Sequence, residues 1–193
     1  MNRTARAHTN IALIKYWGKA DDKLRLPLMS SLSMTLDAFY TDTSVEKTDG
    51  ENQFFLNNQQ QTAAASQRVF AYLKKLQARF HVTGNLIVKS VNHVPTSAGL
   101  ASSSSAFAAL AAAFCQCYDI NIDLEDLSRL ARIGSGSASR SVYGGFAVWQ
   151  KGNSDETSYA YALDETPTMD LHLLAVELNT KQKKISSTYG MKD

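Results

Sequence analysis

Glycine, hydroxyl and cationic side chains gather in four stretches of this 193-residue chain, the combination that anion chemistry needs. The first is Pro95-Thr96-Ser97-Ala98-Gly99-Leu100-Ala101-Ser102-Ser103-Ser104-Ser105, which joins an apolar stretch to an alanine-rich one. Small residues let backbone approach a ligand, and the free N–H groups of a helix start hold anions. Serine hydroxyls add donors and can ligate a magnesium ion that bridges phosphates. No Gly-Lys-Ser/Thr follows, so this is not a Walker A loop. A plain serine-rich turn with an N-cap is the alternative. The second stretch is Ile133-Gly134-Ser135-Gly136-Ser137-Ala138-Ser139-Arg140-Ser141. Here a guanidinium follows the glycine loop, and arginine grips a carboxylate or phosphate through two hydrogen bonds. The alternative is a flexible connector with a surface arginine. The third, Ile14-Lys15-Tyr16-Trp17-Gly18-Lys19, sets two lysines and two aromatic rings before a turn, or is only a solvated strand end. The fourth is basic: Lys181-Gln182-Lys183-Lys184, then Ser186, Ser187 and Thr188. It is either a solubilising face or a closure over an anionic substrate.

No acidic residue falls inside these four stretches, although phosphoryl transfer normally uses an Asp as base. His8, His81, His93 and His172 share no metal-like spacing. Cys115 and Cys117 are too close to form an unstrained disulfide and read as reduced helix-packing residues of a cytoplasmic protein. Trp149 reads as core. The balance of 20 Lys and Arg against 18 Asp and Glu predicts neither a nucleic-acid nor a membrane partner, so any anion site must be local. Residues 101–118 carry no charge but are rich in Ala and Ser, which suits a buried helix better than a membrane span.

The elements that must position these stretches are mixed. Residues 5–17 read as extended, and residues 33–47 as strand. Asp49-Gly50 is a turn signal, with residues 53–56 as the return strand of a hairpin. Thr62 can cap a helix to about Phe80 whose inner face is Val69, Leu73, Leu76 and Phe80. A strand follows at 86–91, then the loop at 95–105 and a helix to about Tyr118. Asp123 opens a short helix with Asp126 at capping-box spacing, ending near Ile133. Strands are expected at 146–150 and, buried, at 171–178. The chain is long enough for one sizeable core and short for two. Early strands cluster before the first helix, which favours α+β with helices on one face of a mixed sheet.

The motifs resemble the mevalonate diphosphate decarboxylases of the GHMP kinase superfamily. The resemblance rests on Asn10-Ile11-Ala12-Leu13-Ile14-Lys15-Tyr16-Trp17-Gly18-Lys19, on residues 95–103, on residues 134–141 and on Ser186-Ser187-Thr188-Tyr189-Gly190-Met191. It implies the ribosomal protein S5 domain 2-like half of a GHMP kinase, with residues 1–193 as the N-terminal domain. The family's C-terminal domain is expected to be absent from this chain, and with it the catalytic aspartate, a role not carried to Asp193. The implied reaction is ATP- and Mg²⁺-dependent. The tertiary hydroxyl of mevalonate 5-diphosphate is phosphorylated, then phosphate and CO₂ leave to give isopentenyl diphosphate. The implied nucleotide cradle is Pro95, Ser97, Ala98, Gly99, Leu100, Ala101, Ser102, Ser103 and Ser104, with Ser103 as magnesium ligand and Ser90 and Asn92 near the base. Tyr16, Lys19, Ser135, Gly136 and Ser137 would hold the substrate diphosphate, with Ser187 and Met191 lining the same pocket. Arg140 would orient the carboxylate, and Arg140 and Lys19 are the implied catalytic residues of this part. A mevalonate kinase without decarboxylation and an inactive nucleotide- or diphosphate-binding module are the alternatives. A homodimer is left open, and the isolated chain is expected to be inactive.

Overall fold

The computed structural model of the chain describes residues 3–94, 102–169 and 171–174. In order, the elements are β1 (Thr4–Ile14), β2 (Lys19–Asp21), β3 (Leu26–Pro27), β4 (Ser31–Thr48), β5 (Gln53–Leu56), β6 (Gln59–Gln60), α1 (Ala63–Phe80), β7 (Asn85–Asn92), α2 (Ser102–Cys117), α3 (Leu124–Gly134), a 3-10 helix (Gly136–Val142), β8 (Phe146–Trp149) and β9 (Ala160–Asp164). Among the described residues seven strands form one sheet in the order β6-β5-β7-β4-β8-β9, with β1 also paired to β4; β2 and β3 form a separate small hairpin.

The centre of the sheet is β4, one 18-residue strand. It pairs antiparallel with β1 along its length, with β7 through residues 41–48 and with β8 through residues 31–34. Alternation selects the face that meets the helices. Ala5 and Ala7 of β1, Val45 of β4, and Leu86 and Val88 of β7 are buried in one cluster with Leu73 and Leu76 of α1. The uncharged α2 lies in the same cluster, with Ala108, Ala109, Ala111 and Phe114 buried, and α3 adds Leu130 and Ala131. Alanine allows α2 to lie close to the sheet and to α3 together, which places its first turn over the strand ends. The architecture is the expected mixed sheet with its helices in one core.

Local signals fix the helix ends. Thr62 accepts from the Ala65 N–H, and His81 closes α1 in the left-handed region at φ 54°. Asp123 accepts from the Asp126 N–H at 2.7 Å. The reciprocal half of a capping box is missing, because the Asp126 carboxylate takes the Arg129 guanidinium instead.

Three expectations change. Residues 53–56 are a strand but not the return of a hairpin: β7 lies between β4 and β5, and β5 pairs with β7 in parallel. The inserted strand is tied into the preceding turn, where Asn85 Nδ2 donates to Gly50 O and the Leu86 N–H to Asn52 Oδ1. Ser102, Ser103, Ser104 and Ser105 are the first turn of α2 and not loop. Residues 171–174 are neither strand nor buried, Leu174 being 87% exposed. Residues 175–178 and the basic stretch from Lys181 lie outside the described residues. Among the described residues no helix is long and apolar enough to cross a membrane.

Candidate functional site

The first turn of α2 and the segment leaving α3 meet. Ser103 Oγ lies 3.3 Å from Ser135 Oγ, and Ser135 Oγ lies 3.4 Å from Ser137 Oγ. Two stretches that are separate in sequence therefore share one row of hydroxyls. Packing enforces the approach: a Cβ on Gly134 would fall 2.2 Å from Phe107 Cδ1 of α2. After Ser135 the chain turns into the 3-10 helix, where Ser139 Oγ donates to Gly136 O at 2.8 Å.

Arg140, on that helix, is 1% exposed. Its guanidinium donates to Ser31 Oγ and, at 3.4 Å, to Asn10 Oδ1, while its Nε has no hydrogen-bond partner among the described residues. No carboxylate pairs with it there. Burial pushes its pKa down to about 10, opposed only by Tyr16. Asn10 is itself fixed, donating from Nδ2 to Ser137 O at 2.9 Å and to Ser141 Oγ at 2.7 Å. Ser33 Oγ is also buried without a partner among the described residues. A buried cation and unpaired donors of this kind are costly unless an anion completes them.

Tyr16 is buried, with its ring edge-on to Trp149 at a centroid distance of 4.7 Å. Burial raises its pKa, and the neighbouring Arg140 and Arg25 lower it. Gly136 is needed beside it, because a Cβ there would sit 2.6 Å from Tyr16 Oη and 3.0 Å from the Trp149 ring. Gly136→Ala is expected to destabilise the chain by about 1–3 kcal/mol through overpacking. An unchanged urea midpoint would show that the two rings can step aside. Lys19 belongs to the β2–β3 hairpin, and its Nζ bonds the Asp22 carboxylate at 2.9 Å.

Ser90 and Asn92 border a cavity of about 190 Å³ between the sheet, α1 and α2, together with Ser102, Ser103 and Phe107. Their side chains are already engaged: Ser90 Oγ with Thr43 Oγ1 at 2.8 Å, and Asn92 Oδ1 accepting from Thr41 Oγ1 at 3.1 Å. Ser104 is wholly buried. Pro95, Ser97, Ala98, Gly99, Leu100, Ala101, Ser187 and Met191 lie outside the described residues.

The structure adds residues to which the sequence gave no role. Asn10 stands inside a recognised motif. Ser31 had no signal beyond its place in a serine-rich strand. Arg25 and Arg68 donate to Ile133 O at 2.9 Å and Gly134 O at 3.2 Å, just before Ser135.

This sheet, with a helix start and a Gly/Ser segment meeting beside it, has the GHMP kinase fold. The family model described as diphosphomevalonate decarboxylase-like N-terminal domain matches residues 7–160, and the chain belongs to that family. A diphosphomevalonate decarboxylase of Ganoderma lucidum is 39% identical over 207 residues, covering 97% of this chain and 52% of its own length. The crystal structure of the mevalonate diphosphate decarboxylase of Staphylococcus aureus is 47% identical with a TM-score of 0.86, over 98% of this chain and 58% of that one. A solved complex of MDDEF with MVAPP, AMPPCP and magnesium is 46% identical with a TM-score of 0.85, over 98% of this chain and 59% of that one. The chain spans about half the length of the curated relatives it matches.

Proposed function

We propose that the complete polypeptide is an ATP-dependent decarboxylase of mevalonate 5-diphosphate, and that these residues form its N-terminal domain. The observation that carries this reading is the Ser103–Ser135 contact at 3.3 Å, beside a buried guanidinium that has no carboxylate partner among the described residues. One cleft thus offers a phosphate cradle at the start of α2 and a second cradle at residues 135–137. The MDDEF complex supports the nucleotide and magnesium.

ATP supplies the phosphoryl group that turns the tertiary hydroxyl into a leaving group. The chain's own residues bind and orient. Tyr16, Lys19, Ser135, Gly136 and Ser137 hold the substrate diphosphate; Lys19 exchanges Asp22 for phosphate as it does so. Arg140 takes the carboxylate. An ion pair to a group that becomes neutral CO₂ favours the ground state, so its contribution is alignment of the breaking C–C bond. Trp149 and Tyr16 wall the guanidinium from water, which strengthens that grip. Among the described residues no cluster of three His, Cys, Asp or Glu could hold a metal alone. Magnesium fits here as an ion carried on nucleotide phosphates and water, with the Ser103 hydroxyl as a protein ligand. The base for the hydroxyl proton is assigned to the part of the protein that the relatives have and these residues do not span.

The test is release of CO₂ and ADP from mevalonate diphosphate by the complete protein. ADP without CO₂ would identify a kinase, and binding without either product an inactive module. Ser103→Ala is expected to lower turnover about ten- to a hundredfold while weakening diphosphate binding far less, because it removes one charge-assisted contact. Unchanged turnover at saturating Mg²⁺ would remove Ser103 from the metal site.

A further inference from the structure

Three cross-strand pairs of β4 and β7 face the helices in succession: Val45 opposite Val88, Thr43 opposite Ser90, and Thr41 opposite Asn92. The first pair is apolar core. The other two set hydroxyls and an amide on the same face, and Thr41 and Thr43 are both fully buried. A buried hydroxyl needs a partner. Thr43 Oγ1 meets Ser90 Oγ at 2.8 Å, across the strand pair. Thr41 Oγ1 meets two side chains on different elements: Asn92 of β7 at 3.1 Å and Ser105 of α2 at 2.8 Å.

The protons of this cluster run one way. Val94 O only accepts, so Asn92 turns Nδ2 toward it, at 3.3 Å, and Oδ1 toward Thr41. Thr41 gives its single hydroxyl proton to that oxygen, so the proton between Thr41 and Ser105 comes from Ser105. The Asn92 backbone N–H is fixed as well, donating to Asn57 Oδ1 at 2.8 Å. Asn92 thus keeps one Nδ2 proton without a partner among the described residues, at the border of the cavity of about 190 Å³. Such a proton suits an acceptor atom of a heterocyclic base. At the other end, Ser105 is wholly buried in the first turn of α2, two residues past Ser103. A hold on its hydroxyl sets how that turn presents Ser103. Thr41 is itself held in place, because its backbone pairs with Ala7 of β1 on one side and Asn92 of β7 on the other.

We propose that Thr41 is a positioning residue for the nucleotide, whose one hydroxyl aligns the Asn92 amide at the base end of the cavity and the Ser103 turn at the phosphate end. The role rests on the reading that a nucleotide occupies this cleft. Thr41 touches no reacting atom and acts through its two neighbours. Loss of the hydroxyl frees the amide to flip, which exchanges donor for acceptor toward the base, and loosens the phosphate cradle at the same time.

The complete protein is titrated calorimetrically with Mg·ATP, Mg·GTP and mevalonate diphosphate, and its release of ADP and CO₂ is followed. Wild type is compared with Thr41→Val, Thr41→Ser, Ser105→Ala, the double variant Thr41→Val with Ser105→Ala and, as a control at the far end of β4, Thr48→Val. Valine keeps the shape of threonine and removes the hydroxyl. Thr41→Val should weaken Mg·ATP binding about five- to tenfold, the contribution of one or two hydrogen bonds. It should also narrow the preference for ATP over GTP, change kcat less than KM, and bind mevalonate diphosphate as wild type does. Thr41→Ser keeps the hydroxyl and should restore both ATP affinity and base preference. Ser105→Ala severs the phosphate branch alone, so it should weaken ATP and GTP equally. The double variant should bind ATP as Thr41→Val does, because the two substitutions share that branch. Thr48→Val should bind as wild type. Wild-type ATP affinity in Thr41→Val overturns the proposal, as does an equal loss for mevalonate diphosphate or a Thr41→Ser variant as weak as Thr41→Val. A fall in ligand-free melting with ATP binding intact marks the hydroxyl as a core contact and overturns it too. Wild-type protein that binds Mg·ATP through Thr41 yet releases no CO₂ refutes the decarboxylase reading and leaves the positioning role standing. Wild-type protein without affinity for Mg·ATP overturns both.

Discussion

Arg132→Met should cost the fold about 3–5 kcal/mol, the penalty for breaking a buried ion pair from one side, whereas Arg140→Met should cost much less or raise stability. Both side chains are buried on neighbouring segments. Their surroundings differ. Arg132 donates to Leu24 O at 2.9 Å, to Asp155 O at 3.3 Å, to Ser158 O, and to the Asp155 carboxylate. Its removal takes a buried donor from three carbonyls and leaves the Asp155 carboxylate with Arg79 alone, bonded at 2.6 Å. Among the described residues Arg140 has one hydroxyl and one long amide contact, an unpaired Nε and no counter-charge. Its removal takes away a desolvated cation that no carboxylate among the described residues balances. Because folding lowers the Arg140 pKa to about 10, the unfolded chain holds that proton more tightly. The wild-type penalty is then complete below about pH 10 and eases as pH rises above it; the Met variant lacks this slope. Urea denaturation of both variants is the measurement. An Arg140→Met loss as large as that of Arg132→Met would make Arg140 a structural residue.

Residues 1–193 alone should release no CO₂ from mevalonate diphosphate and ATP, a complete loss and not a partial one. Phosphoryl transfer to a hydroxyl calls for a carboxylate that takes its proton. Near the hydroxyl row, the acids of the β2–β3 hairpin are engaged: Asp22 with Lys19, and Asp21 with the Leu24 N–H. The resemblance assigns the catalytic aspartate to the second domain. Trapping of labelled CO₂ over a no-protein control decides it, and any release above that control would sink the assignment. Pyrophosphate binding by the same sample shows that its anion site is formed.

Signals that are local in sequence were legible. Thr62 and Asp123 cap the helices they were expected to cap, and Leu73 and Leu76 lie on the face that their spacing chose. Tyr16, Lys19, Ser103 and Arg140 were legible as members of motifs. What could not be read depends on distance along the chain. Arg25 looks like part of a charged turn, and Arg68 like the solvent side of an amphipathic helix. Their carbonyl partners lie 108 and 66 residues away. Asp49-Gly50 signals a tight turn, and no local pattern says that a strand made some thirty residues later will enter beside it. The apolar spacing at 171–174 reads as a strand, yet these residues are exposed, since periodicity reports a preference and not a partner.

The parallel pairing of β5 with β7 also dictates an order of events. As the chain leaves the ribosome, β4 and β5 are complete before β7 exists. The neighbour then available to β5 is β4 itself, through a four-residue link, and that hairpin is the pairing the local signals favour. It closes a short loop quickly, whereas the native arrangement waits for α1 and for a crossover of about thirty residues. Because β7 lies between β4 and β5 in the sheet, a β4–β5 hairpin formed early would have to open before the native sheet is complete. A nascent chain halted near residue 80 would leave the edges of β4 and β5 that β7 covers without their native partner, the condition in which such chains are expected to associate with one another.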